Sequence, residues 1–92
     1  MLDNLEPGRL VVSTAGRDCG KYYLVLEEAA GDRVCVVDGE ARRIVKPKRK
    51  NRKHLKPLPD VSLELNEKIK AGVKITDHEV RRALREITAN YT

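Results

Sequence analysis

The chain has 92 residues, 40% of them apolar and 36% charged, which suffices for one small domain or a small domain with an appendage. Phe and Trp are absent and Tyr occurs three times, so the core must be built from aliphatic side chains. No apolar run approaches the roughly 20 residues that span a bilayer, and the acidic first seven residues lack the features of a signal peptide. We therefore expect a cytoplasmic protein with no membrane partner, in which Cys19 and Cys35 are reduced thiols.

Positive charge is concentrated in residues 46–56, which we call the basic segment. It holds seven Lys or Arg and no acid, whereas residues 1–45 carry six basic and eight acidic groups and residues 57–92 carry six of each. Such a segment repels itself in the free protein and is compensated by a polyanion. It predicts a nucleic-acid partner, although a solubilising linker or an address signal has the same composition. Pro47 inside the segment and Pro57 and Pro59 just after it exclude a continuous helix, so we expect an extended arm in the free protein.

The first half of the chain is predicted to form short strands separated by tight turns. Tyr22 and Tyr23 are adjacent in one of these strands and should point to opposite faces, so one of them belongs to the core. A loop with a glycine near each end separates the first two strands. Residues 10–13, 22–26 and 33–37 are the predicted strands, and residues 14–20 are the predicted loop, since the strand residues favour extended backbone.

The next turn is predicted from Asp38-Gly39, a pair that is typical of a two-residue type I′ hairpin. Residues 40–45 would then return as a fourth strand. A fifth strand, near residues 55–58 or from the N-terminus, would close the sheet. Four or five short strands with tight turns indicate a mainly β fold, a small antiparallel barrel.

The last third of the chain changes to a helical period. Residues 62–71 form one predicted helix, with Gly72 placed to end it. Thr76 and Glu79 form a capping box that begins a second helix, and its apolar stripe consists of Val80, Ala83, Leu84 and Ile87. We expect a barrel over residues 6–58, including the basic segment, followed by a helical extension over residues 62–90.

Residues 10–26 resemble the KOW motif. That motif has apolar residues, a turn glycine (here Gly16), a short polar loop, a second glycine (Gly20), a basic residue (Lys21) and an apolar strand. It occurs in several large-subunit ribosomal proteins and in NusG-type transcription factors. With Asp38-Gly39 and the basic segment included, residues 6–57 resemble short bacterial KOW-domain RNA-binding proteins related to an archaeal and eukaryotic large-subunit ribosomal protein. This resemblance implies an SH3-like β-barrel and RNA binding.

The candidate RNA-binding residues combine the motif with the charge pattern. The scarcity of aromatics disfavours a platform for several unstacked bases, so we expect recognition of the backbone and grooves of folded RNA. Arginine suits this because its planar fork matches phosphate and base edges. The predicted contacts are Arg17, Lys21, Arg42, Arg43, Lys46, Lys48, Arg49, Lys50, Arg52, Lys53, His54 and Lys56, with Gly16, Gly20 and Gly39 as structural loop positions.

Catalytic and metal sites are not indicated. The segment from Gly16 to Lys21 is not a P-loop, because three residues separate its glycines instead of four and Tyr22 follows the lysine. The Cys and His residues are too far apart along the chain to form a ligand knuckle. We therefore expect no enzyme activity, no cofactor and no metal.

Two functions remain open at this stage. The leading hypothesis is a ribosome-associated RNA-binding protein whose expected partners are ribosomal RNA and, beside it, ribosomal proteins. The second is an SH3-like adaptor of the transcription or translation machinery that presents the apolar stripe of its last helix to a protein. The sequence leaves the oligomeric state open.

Overall fold

Five antiparallel strands form one sheet in the order β4-β3-β2-β1-β5. The structure is a computed structural model and describes residues 5–91. In this part of the chain no helix is long and apolar enough to cross a membrane. The elements are β1 (Arg9–Ser13), β2 (Tyr22–Glu28), β3 (Arg33–Val37), β4 (Lys48–Asn51), a 3₁₀ turn (Arg52–His54), β5 (Leu55–Val61), α1 (Leu63–Lys70), α2 (Asp77–Thr88) and a final 3₁₀ turn (Ala89–Tyr91).

The sheet curls into a small SH3-like barrel, which confirms the predicted fold class. The two edge strands, β4 and β5, are consecutive in the chain and are joined by the 3₁₀ turn. Register shifts interrupt the β1–β5 and β2–β3 pairings, and such bulges bend strands. Pro57 and Pro59 lie in β5, an edge strand that tolerates a missing N–H. The predicted first, second, third and fifth strands are confirmed.

The fourth strand lies later in the chain than predicted. Residues 38–47 form a loop instead of a hairpin, and β4 lies inside the basic segment. The Asp38 carboxylate accepts hydrogen bonds from the backbone N–H groups of Glu40 and Arg42, which curls the chain into a wider turn. The prediction of an extended arm is therefore also wrong, because the basic segment contains β4, the 3₁₀ turn and the start of β5.

The central strands of the sheet, β1 to β3, are largely buried on both faces. The barrel interior holds one aliphatic cluster around Tyr23, whereas Leu10, Leu24 and Val37 on the outer face pack against Leu65 of α1 and Val80 of α2. Sheets covered on both faces lose the alternation of polar and apolar residues, which explains the continuous apolar runs in β1 to β3. Tyr23 is buried inside the barrel and Tyr22 lies on the outer face, so the prediction of opposite faces is confirmed.

Both helices begin where the sequence predicts. The Ser62 side chain caps α1, and Thr76 with Glu79 forms the predicted capping box of α2. The apolar stripe of α2 packs against the outer face of the sheet, with Val80 completely buried. The stripe therefore packs mainly against this chain's own sheet, which leaves little of it for the protein partner of the adaptor hypothesis.

Candidate nucleic-acid interface

The β1–β2 loop, residues 14–20, is a closed structure that the end of β1 and the start of β2 hold together. Ser13 N–H donates to the carbonyl of Lys21 at 2.9 Å, and Gly20 N–H donates to the carbonyl of Ser13 at 2.8 Å. Gly16 and Gly20 have φ angles of +86° and +90°, the left-handed region that favours glycine. This confirms the predicted loop, and it leaves Arg17 exposed.

The Asp18 carboxylate organises the inner side of this loop. It accepts hydrogen bonds from Ser13 Oγ at 2.9 Å, Tyr23 Oη at 2.8 Å and Lys50 Nζ at 3.0 Å. Burial alone would raise the pKa of Asp18, but the hydrogen bonds from Tyr23, Lys50 and Ser13 hold it well below its ordinary value of 3.8. Burial and the bond to Asp18 raise the pKa of the Tyr23 hydroxyl above its ordinary 10.0. Asp18 is therefore an ionised anchor for the loop.

Lys50 is the cation that this anchor holds inside the protein. Its side chain is 7% exposed, and Nζ donates to Ser13 Oγ, the Ala15 carbonyl and Asp18 Oδ1 at 2.9 to 3.0 Å. An ammonium has three N–H donors, so these bonds use all of them. Lys50 belongs to β4, which is not a neighbour of β1 in the sheet, so the side chain crosses the open side of the barrel. Lys50 therefore has no N–H donor left for an RNA phosphate.

A second ion pair joins the β1–β2 loop to the loop over residues 38–47. Lys21 Nζ lies 2.6 Å from Asp38 Oδ2 and 5.3 Å from the centroid of the Tyr23 ring. Burial would raise the pKa of Asp38, but the hydrogen bond from Lys21 and the backbone N–H groups of Arg42 and Glu40 keep it below its ordinary value. The two loops therefore share one electrostatic network.

Helix α2 fixes the position of the loop over residues 38–47. Ile44 N–H donates to Asp77 Oδ1 at 2.9 Å, and Arg81 Nη1 donates to the Gly39 carbonyl at 2.7 Å. Gly39 has a φ of +80°, and a Cβ there would lie 2.6 Å from the Asp77 carbonyl. Glycine is thus required by the close approach of α2. The exposed side chains of the loop include Arg43, Val45 and Lys46.

Some of the remaining cations of the basic segment form ion pairs within the protein, and others are exposed to solvent. Lys48 Nζ lies 3.5 Å from Asp18, and Arg52 Nη2 lies 2.5 Å from Glu28. Thr14 N–H donates to the His54 carbonyl at 2.9 Å, which places the 3₁₀ turn beside the β1–β2 loop. Arg42 is partly buried, and the exposed members of the segment beyond Lys46 are Arg49, Lys53, His54 and Lys56.

The anchors of the site are acids that sequence reasoning did not identify. Asp18 could have been noticed because an acid is unexpected in a loop that is predicted to contact phosphate. Asp38 could have been noticed because it belongs to the predicted turn Asp38-Gly39. Nothing in the sequence connects Asp77 with Ile44, 33 residues away. Among residues 5–91 no group of three or more His, Cys, Asp or Glu side chains is placed to hold a metal ion. Cys19 is exposed, Cys35 is buried, and both are free thiols.

The barrel and its glycine-bracketed loop define a KOW-type barrel of the kind found in ribosomal proteins. No family model matches the chain. The chain is 33% identical over 82 residues to the large ribosomal subunit protein eL14 of the archaeon Hyperthermus butylicus, a match that covers 89% of this chain and 76% of that protein. The chain therefore belongs to the eL14 family of large ribosomal subunit proteins, and the predicted resemblance to KOW-containing ribosomal proteins is confirmed.

Proposed function

We propose that this protein is a ribosome-associated RNA-binding protein that contacts the phosphate backbone of structured ribosomal RNA. The observation that carries the proposal is the way internal carboxylates fix the two loops and the start of β4. Asp18 holds the start of β4 against the β1–β2 loop, and Asp38 holds the next loop against Lys21. We propose that the exposed cations of these segments lie on one preformed surface.

A preformed surface suits phosphate recognition for two reasons. Exposed Lys and Arg side chains release counterions from the nucleic acid on binding, which supplies most of the sequence-independent affinity. Loops that are already ordered have less conformational entropy left to lose when they bind. The proposed contacts are Arg17, Arg42, Arg43, Lys46, Arg49, Lys53, His54 and Lys56, with Lys21, Lys48 and Arg52 contributing beside their acidic partners.

Family membership supports the biological setting of this proposal. The relative is named as a protein of the large ribosomal subunit, so we propose ribosomal RNA, together with ribosomal proteins, as the partners of this chain and the cytoplasm as its location. The role we propose is binding rather than catalysis. We also place the chain in the short bacterial branch of the family, on the resemblance over residues 6–57. Residues 6–58 would carry the RNA contacts, and residues 62–90 would hold the loop over residues 38–47 in position.

Charge reversal at exposed positions tests the proposal. The variant carries Arg49→Glu, Lys53→Glu and Lys56→Glu, all in the basic segment and all exposed. A matched control carries the same charge change on the helical part of the chain, through Lys70→Glu, Lys74→Glu and Arg82→Glu, which are also exposed. Affinity for a structured ribosomal RNA fragment is measured by fluorescence anisotropy at one low salt concentration.

We expect the basic-segment variant to bind about tenfold more weakly or worse, since three phosphate contacts become repulsive. The control should stay within about threefold of the unmodified protein, because its changes lie away from the proposed surface. Unchanged affinity in the basic-segment variant would contradict the proposal. Equal losses in both variants would also contradict it, because they would show that net charge alone determines binding. If the basic-segment variant alone loses affinity, crosslinking in cells followed by sequencing of the attached RNA would identify the RNA that the protein binds.

A further inference from the structure

A cleft of about 360 Å³ lies between the start of β2 and one face of α2. Small-molecule sites span roughly 300–1,000 Å³, so the cleft has room for one small ligand. The residues that line it include Tyr22 and Leu84. Its charged groups include Lys21, Glu40 and two arginines, Arg81 and Arg85.

The charges in the cleft favour an anion. Lys21 and Asp38 lie 2.6 Å apart and neutralise each other. The remaining charged groups in the lining are Arg81 and Arg85 against Glu40, which leaves a net positive charge. The Gly39 carbonyl accepts a hydrogen bond from Nη1 of Arg81, and a guanidinium has five N–H donors. A phosphate is therefore a suitable ligand for this pair of arginines.

The other groups of the cleft suit a nucleobase. The Tyr22 ring is partly buried, and its centroid lies 6.0 Å from that of Tyr91 at an interplanar angle of 42°, so the ring is supported from one side. Aromatic faces stack on bases, and every base has a face to offer. Glu40 is exposed, and a carboxylate accepts hydrogen bonds from the N–H groups on base edges. A single tyrosine provides stacking for one base, whereas a run of bases needs several aromatic rings.

We propose that this cleft receives one unpaired nucleotide extruded from the bound RNA. Its base lies against Tyr22, and its phosphate lies between Arg81 and Arg85. The inference rests on the proposed function, because the exposed cations must first hold the RNA beside the cleft. Lys21 connects the two regions, since it lines the cleft and pairs with Asp38 at the start of the loop over residues 38–47. Specific RNA recognition commonly uses bulges and loops whose bases are free to leave the stack.

The test compares two RNA hairpins that differ by one bulged nucleotide. Fluorescence anisotropy at fixed salt gives the affinity of the full-length protein for each hairpin. Arg85→Gln removes a cleft arginine that is exposed, so this change spares the core. Tyr22→Leu keeps an apolar side chain against the helices and removes the aromatic face. Arg82→Gln is the matched control, because Arg82 is an exposed arginine of α2 outside this cleft.

We expect the unmodified protein to bind the bulged hairpin about tenfold more tightly than the paired one, the size of one base stacking contact. Arg85→Gln and Tyr22→Leu should each reduce this preference to about twofold or less, and Arg82→Gln should retain it. Equal affinity of the unmodified protein for both hairpins would overturn the inference and leave the proposed function standing, with an acidic protein segment as the better candidate for the cleft. Failure to bind either hairpin would overturn both.

Discussion

The ammonium of Lys50 lies 3.0 Å from a carboxylate oxygen of Asp18, although 32 residues separate them in the chain. Lys50 belongs to the edge strand β4, and Asp18 belongs to the loop that follows β1. Since β4 and β1 are not neighbours in the sheet, this ion pair closes the side of the barrel that no strand pairing closes. The most cationic part of the chain therefore contributes a structural group in addition to the proposed binding residues.

Replacing Lys50 by Met is expected to lower the free energy of unfolding by about 3 kcal/mol, since removing one partner of a buried pair leaves the other uncompensated. The loss should lie at the lower end of the usual range because Ser13 and Tyr23 still donate to Asp18. Urea denaturation followed by circular dichroism measures it. Arg49→Gln, at the adjacent exposed position, is the control and should change stability by less than about 0.5 kcal/mol. Equal effects of the two changes would contradict the structural role of Lys50.

Acid should unfold the protein partly through Asp18. The folded-state pKa of Asp18 lies below its ordinary value of 3.8, so the unfolded chain takes up a proton first as the pH falls. The Asp18 carboxylate contributes its full stability above the pKa that it has in the unfolded chain. This contribution is lost as the pH falls through the pKa that Asp18 has in the folded protein. Asp18→Asn should therefore be less stable at neutral pH and should lose less further stability between about pH 4 and pH 2.

Denaturant midpoints at a series of pH values measure this effect. Asp32→Asn is the control, because Asp32 is exposed, and it should reproduce the acid dependence of the unmodified protein. Asp38 also has a lowered pKa, so some acid dependence should persist in Asp18→Asn. An acid profile that Asp18→Asn leaves unchanged would show that Asp18 does not anchor the loop.

Two glycines separate the effect of backbone conformation from that of crowding. Gly31 and Gly39 have similar positive φ angles, 71° and 80°. A Cβ at Gly31 meets nothing within 4 Å, whereas one at Gly39 would lie 2.6 Å from the carbonyl of Asp77. Gly31→Ala should cost about 1 kcal/mol of stability from backbone strain alone. Gly39→Ala should cost at least about 2 kcal/mol more, because α2 must move. Similar losses of stability in the two variants would show that α2 does not pack closely against the loop at Gly39.

The strands and helices that the sequence predicts well are those with strong local signals. Thr76 and Glu79 specify the start of α2 through contacts between near neighbours in the chain. The β1–β2 loop is likewise specified by glycines at both ends. These features depend on residues a few positions apart, so the sequence contains enough information to place them.

The fourth strand was missed because its determinants are distant in the chain. Asp38-Gly39 has the composition of a hairpin turn, but α2 requires the glycine and Asp77 holds Ile44. The lysines of the basic segment suggest side chains that are exposed to solvent. Lys50 is nevertheless buried, because its ammonium donates hydrogen bonds to Asp18 and Ser13. Composition predicts that cations concentrate in the basic segment, and tertiary contacts determine which of them stay exposed.

The salt dependence of RNA affinity tests the central claim most directly. The dissociation constant of the full-length protein for a structured ribosomal RNA fragment is measured by anisotropy from about 50 to 300 mM potassium chloride. The exposed cations named above predict a log–log slope of the association constant of about −4 to −7, from roughly 0.9 per phosphate contact. Arg49→Glu with Lys53→Glu and Lys56→Glu should make the slope shallower by about 3. A slope near zero, or no detectable binding even at the lowest salt, would contradict phosphate recognition by this surface.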